Sequence, residues 1–231
     1  MIYDSPMTIP FRRFTPWLVL PVFLFVCALP AGLLAQTVAF TGVVRTLGSG
    51  FSTPGGVAVD ESGNVYVADE INNVVYEMLA VGGRIPASPT ILTLGSGFQT
   101  PAGVAVDGSG NVYVADSGNN AVKEILAVGG SIPASPTILT LGSGFFRPTG
   151  VALDSNGDVY VADLGNGSAK EMLAVGGSIP ASPTIRRLAT NFSQPLGVAV
   201  TPAEMSISPI NKAMMCGRFW QLGVASPPHP P

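Results

Sequence analysis

The sequence predicts an all-β fold assembled from one four-stranded unit used again and again, and three observations carry that reading. Leu47-Gly48-Ser49-Gly50-Phe51 returns as Leu94-Gly95-Ser96-Gly97-Phe98 and Leu141-Gly142-Ser143-Gly144-Phe145, with a degenerate copy from Leu188, always 47 residues apart. Each unit holds four short β-branched runs punctuated by Gly and Pro, and none shows a helical period. The first two units, 47–93 and 94–140, differ at nine positions. A fixed period of this length means a stacked or ring-like repeat array.

The elements follow in order within the first unit. Gly56–Asp60 and Asn64–Asp69 are two strands joined by Glu61-Ser62-Gly63. Asp at the start of that turn caps backbone N–H groups, and Gly near its end accepts positive φ, which is hairpin chemistry. Val74–Val81 forms a third strand running into Gly82-Gly83, and Thr90–Leu94 a fourth after the loop Arg84–Pro89. Four antiparallel strands per repeat describe one blade of a β-propeller. A parallel β-helix is the alternative, but its coils are shorter and lack the tight Asp-x-Ser-Gly-Asn hairpin. Phe51, Phe98, Phe145 and Phe192 recur in phase and are expected to pack between blades.

Pro101-x-Gly103-Val104-Ala105-Val106-Asp107, then Gly110-Asn111-Val112-Tyr113-Val114-Ala115-Asp116 and Asn119-Asn120-x-Val122, resemble the NHL repeat. The resemblance covers three full units (47–93, 94–140, 141–187) and a partial one (188–200). It implies a β-propeller, commonly of six blades, and no single activity: such domains serve as extracellular binding modules, as RNA-binding domains or, in related propellers, as lactonases and lyases. Three blades and a fragment fall short of the four to eight that close a ring. The expected architecture is therefore an incomplete ring, marginal as a monomer and open to self-association through its blade edges.

Both ends differ from the repeats. Arg12 and Arg13 precede an apolar run from Trp17 to Leu29, and small residues lead to Ala35, so residues 1–35 read as a secretory signal peptide. Export to a secreted, periplasmic or cell-surface location follows, with no membrane attachment after cleavage. Residues 36–46 are expected as a lead-in strand. After Gly197-Val198-Ala199-Val200 the consensus stops abruptly. Read one base earlier, Glu204 into Met205 must encode Asn or Asp, and Met215 into Cys216 must encode Val. Phe219 into Trp220 must then encode Leu, and Trp220 into Gln221 Ala. The repeat has Asn64, Val75, Leu79 and Ala80 at those places. Residues 201–231 thus read as a fourth repeat translated out of frame and are expected to be unstructured. Cys216 and His229 are by-products of that frame.

Composition excludes several kinds of chemistry. Residues 36–200 contain no Cys, His or Trp, so a Ser-His-Asp or Cys-His nucleophile, a thiolate–imidazole zinc site and a CxxC redox pair have no residues to form there. With 11 Lys+Arg against 14 Asp+Glu, and no unit carrying a basic excess, nucleic acid is not the expected partner. Leu-Gly-Ser-Gly-Phe lacks the Gly-Lys-Ser/Thr ending of a phosphate loop.

Recurring acids remain. Asp60, Asp107 and Asp154 begin the first hairpin turn. Asp69, Asp116 and Asp163 end the second strand and are followed by Asn72-Asn73, Asn119-Asn120 and Asn166-Gly167. Two readings stand: turn capping in every blade, or a rim of oxygen ligands (Asp69, Asn72, Asn73, Asp116, Asn119, Asn120, Asp163, Asn166) able to hold Ca²⁺ or a sugar. Glu77, Glu124 and Glu171, with Lys123 and Lys170 beside the latter two, are expected on a solvated strand face. Asn166-Gly167-Ser168 and Asn191-Phe192-Ser193 fit the glycosylation sequon. No catalytic residue and no cofactor is evident. The functional expectation is an exported binding scaffold for a protein or carbohydrate ligand. The alternatives are a lactonase- or lyase-like enzyme whose site lies in missing blades, and a frameshifted product without function.

Overall fold

The computed structural model describes residues 45–200 and the backbone of 205–209. The expected signal peptide, all of the lead-in strand before Arg45, and the tail at 201–204 and 210–231 lie outside the described residues; Arg45 and Thr46 are not in a strand.

Three four-stranded antiparallel sheets follow one another along the chain. The first contains β1 (Pro54–Val59), β2 (Val65–Asp69), β3 (Val74–Met78) and β4 (Ile91–Thr93). The second contains β5 (Pro101–Val106), β6 (Val112–Asp116), β7 (Ala121–Ile125) and β8 (Ile138–Leu141). The third contains β9 (Pro148–Leu153), β10 (Val159–Asp163), β11 (Ser168–Met172) and β12 (Ile185–Ala189). Strands lie side by side in chain order within each sheet, which is the organisation of a propeller blade. A fourth unit has two strands, β13 (Pro195–Val200) and β14 (Met205–Pro209). Among the described residues there is no α-helix, and the blades do not close a ring.

The sequence explains the local geometry. Between β1 and β2, the Asp60 carboxylate accepts from the Asn64 backbone N–H and side-chain amide, both at 2.8 Å. Gly63 adopts φ 85°, which a side chain would strain. The third run stops at Met78, three residues earlier than expected, because Val81 and Arg84 pair across the Gly82-Gly83 turn.

Blades pack face to face. One core holds Tyr66, Ala68 and Val75 of the first blade against Phe98, Val104, Val112 and Val114 of the second. Another repeats this with Tyr113, Ala115 and Val122 against Phe145, Val151, Val159 and Val161. Phe98 and Phe145 are therefore inter-blade core, as expected, whereas Phe51 and Phe192 are half-buried. The first strands of neighbouring blades come so close that a Cβ on Gly56 would sit 2.8 Å from the Ala102 carbonyl oxygen. Gly103 meets Thr149, and Gly150 meets Gly197, in the same way. Only glycine permits that approach, so the Gly-Val-Ala motif records blade packing.

The structure corrects one expectation for the tail. Met205–Pro209 is not unstructured: it pairs antiparallel with β13, in register from Val200↔Met205 to Pro195↔Pro209. Backbone pairing to an open strand edge needs no particular side chains, so the consensus can be lost and the hairpin retained.

Candidate functional site

Asp69, Asp116 and Asp163 are completely buried, and their carboxylates are held by the chain itself. Asp69 accepts from the backbone N–H groups of Ser52 (2.8 Å), Thr53 (3.0 Å) and Asn72 (3.3 Å), and from the Asn72 amide at 2.9 Å. Burial alone would raise its pKa, but these donors outweigh burial and hold it below the usual carboxylate value. Asp116 accepts from Gln99 N–H at 2.7 Å and the Asn119 amide at 2.7 Å, and Lys123 Nζ lies 2.6 Å away. Asp163 repeats the pattern with Phe146 N–H, Asn166 and Lys170. Each carboxylate thus fastens the loop that leads into its blade to the end of the blade's second strand.

The asparagines share this work. Asn72, Asn119 and Asn166 donate a second bond to the carbonyls of Gly50, Gly97 and Gly144, at 3.2, 3.0 and 3.1 Å. Asn73 and Asn120 lie in the left-handed region (φ 57° and 55°), and their side-chain oxygens reach the next blade. They accept from Thr100 N–H at 2.7 Å and Arg147 N–H at 2.9 Å. Thr100 and Arg147 are themselves at φ 49° and 51°, a strain that this inter-blade bond helps to hold. All eight candidate rim residues therefore lie at one end of the blades in a connected internal network. The Asn166 sequon has its amide engaged in this network and its Ser168 buried.

The expectation for the glutamates was wrong. Glu77, Glu124 and Glu171 are about 95% buried, not on a solvated face, and Lys170 is buried with them. Their blade face is covered by the next blade, so strand alternation here separates two interiors rather than core from water. The Tyr66 hydroxyl lies 3.0 Å from Glu77 Oε1 and 3.1 Å from Asp60 Oδ2. Tyr113 bridges Glu124 and Asp107 at 2.8 and 3.4 Å. Burial, then the charge of Asp60 or Asp107, pushes the Glu77 and Glu124 carboxyls above their ordinary value, although the tyrosine bond opposes this. Burial and the neighbouring carboxylates also raise the Tyr66, Tyr113 and Tyr160 hydroxyls. One phenolic proton cannot serve two acceptors at once, so the second carboxylate in each pair is left without a donor from the tyrosine. The third blade solves this differently: Arg186 stands where the others have Leu92 and Leu139, and its Nε donates to Glu171 Oε2 at 2.7 Å.

A groove of about 340 Å³ runs beside β1, β5, β9 and β13. Its walls are Ala, Val and Leu, including Ala58, Val106, Ala152, Leu153 and Val200. Among the described residues no group of three His, Cys, Asp or Glu could hold a metal ion, and no helix is long and apolar enough to cross a membrane.

Four-stranded blades in chain order, glycine-mediated contact between their first strands and an aspartate staple in each define a repeat protein of β-propeller type. The chain carries NHL repeats: the NHL repeat model matches residues 51–74, 98–125 and 145–168. No curated protein matches the sequence. A solved protein of unknown function from Bacteroides thetaiotaomicron is similar in fold, with a TM-score of 0.54 and 16% identity over 72% of this chain and 47% of that one. Streptogramin B lyase gives a TM-score of 0.47 at 19% identity, covering 66% of this chain and 46% of the lyase. Virginiamycin B lyase from Staphylococcus aureus gives 0.47 at 17%, covering 63% and 45%. The chain spans less than half the length of each of these structures.

Proposed function

We propose that this chain is an exported NHL-repeat scaffold that binds a protein or carbohydrate ligand and performs no chemistry of its own. The observation that carries this reading is the use made of the recurring acids. The aspartates at the ends of β2, β6 and β10 are closed by internal donors, and Glu77 and Glu124 by tyrosine, while the groove presents aliphatic walls. Nearly identical blades repeat the same surface in register, which suits multivalent recognition better than the unlike groups a catalytic centre brings together. The basic and apolar pattern of residues 12–35 supports export.

Two assays on the purified full chain test the reading: turnover of lactones and of streptogramin B, and retention on an array of extracellular polysaccharides and surface proteins. Saturable retention without turnover is expected. Turnover that scales with chain concentration would overturn it. Export is checked by fusing residues 1–40 to a reporter active only outside the cytoplasm. The codon pattern after Val200 favours a second reading, in which a lost base has replaced the rest of the propeller; resequencing the DNA from Ala199 to Pro202 decides it.

A further inference from the structure

Among the described residues, the two ends of the blade array are open, and they are complementary. Val57 and Val59 on β1 face away from the second blade and are 61% and 59% exposed. Val104 and Val151, the counterparts of Val57, are 6% and 7% exposed, and Val106 and Leu153, the counterparts of Val59, are half-buried, because each seats against the blade before it. At the other end, Ala199 on β13 is exposed, whereas its counterparts Ala58 and Ala105 are half-buried against the blade that follows. The chain thus carries both halves of its own inter-blade contact, each without a mate among the described residues.

We infer that two copies of this chain join head to tail, with the β1 face of each seated on the β13 face of the other. The occupant is a second copy because the contact already exists three times within the chain, as β1 on β5, β5 on β9 and β9 on β13. Glycine against glycine brings those backbones together, and valine fills the face beside them. A heterologous contact of this kind extends without limit or closes into a ring, according to the rotation per unit. Two copies supply six complete blades and two partial ones, within the range that closes. Closure at two also places the aliphatic groove beside β1, β5, β9 and β13 inside the ring.

The test is the solution mass of the purified full chain by light scattering, together with Val57→Glu and Ala199→Glu. Both residues are exposed in the single chain, so a circular dichroism spectrum like that of the parent shows that each variant folds. The parent should have twice the 23.7 kDa chain mass, and each variant alone should be monomeric. Mixing the two should restore the dimer mass, because each retains the end the other has lost. Val128→Glu, on an exposed turn of the middle blade, should remain dimeric. A monomeric parent, as when a segment of the same chain covers β1, would overturn the inference. So would open-ended oligomers, an Ala199→Glu variant as dimeric as the parent, or a mixture of variants that stays monomeric.

Discussion

The first and second blades differ at nine of their 47 positions, yet they solve one problem by different chemistry. In the second blade Lys123 lies 2.6 Å from Asp116, donates to the Gly97 carbonyl and sits 5.2 Å from the centre of the Phe98 ring. The third blade repeats this with Lys170, Asp163 and Phe145. The first blade has Tyr76 at that position, which meets Phe51 edge-on with ring centres 5.5 Å apart. Asp69 there is satisfied by hydrogen bonds alone. The aspartate is common to all three blades and the cation is not. What the blade requires is therefore the carboxylate as an acceptor for incoming backbone, and the ion pair is an addition.

That difference sets the order of expected effects. Asp163→Asn should cost the most, about 3–5 kcal/mol, since it leaves Lys170 charged and buried. Asp69→Asn, which strands no cation, should cost about 1–2 kcal/mol. Equal losses in urea midpoint would break the comparison. Asn120→Ala removes both the bond to Arg147 and a residue suited to positive φ, and about 1–2 kcal/mol should be lost. Asn120→Gly keeps the backbone freedom, so it isolates the inter-blade bond.

The two kinds of acid also respond oppositely to pH. The Asp69 carboxyl is lowered, so its contribution is present above the unfolded value and disappears as pH falls through the folded one. The Glu77 and Glu124 carboxyls are raised, so their contribution is complete below the unfolded value and is lost as pH rises through the folded one. A Glu77→Gln/Glu124→Gln variant should match the parent's Tm near pH 4 and exceed it at pH 8. A Tm difference that does not change between those pH values would remove the buried glutamates from the account. The smallest effect belongs to Ser168, whose buried hydroxyl has no partner where the other blades carry Val74 and Ala121. Ser168→Ala should stabilise by up to about 1 kcal/mol, read as a Tm rise of a few degrees.

Repeats, strands and hairpin turns were legible in the sequence because they rest on local chemistry: Asp60 and Gly63 shape one turn, and Val65 to Ala68 extend one strand. Phe98 was legible by its phase. The glutamates were not, since alternation marks a polar face only when one side of a sheet meets water, and here Tyr66 and Glu77 face a neighbouring blade. Nor were the bonds from Asn73 to Thr100 and from Asn120 to Arg147, which join residues 27 apart across a blade boundary. Their signal was present in the spacing of two consecutive asparagines. The first closes a turn within its blade, and the second reaches into the next.

The recurring strand-end aspartates are internal staples. Amide hydrogen exchange at Gln99 and Phe146 tests this most directly, because those N–H groups donate to Asp116 and Asp163 at 2.7 Å. Protection equal to that of strand amides such as Val114, lost only when the blade opens, is the expected result. Exchange at the rate of an exposed loop would show that the carboxylates turn outward, and the rim would again be a candidate for binding.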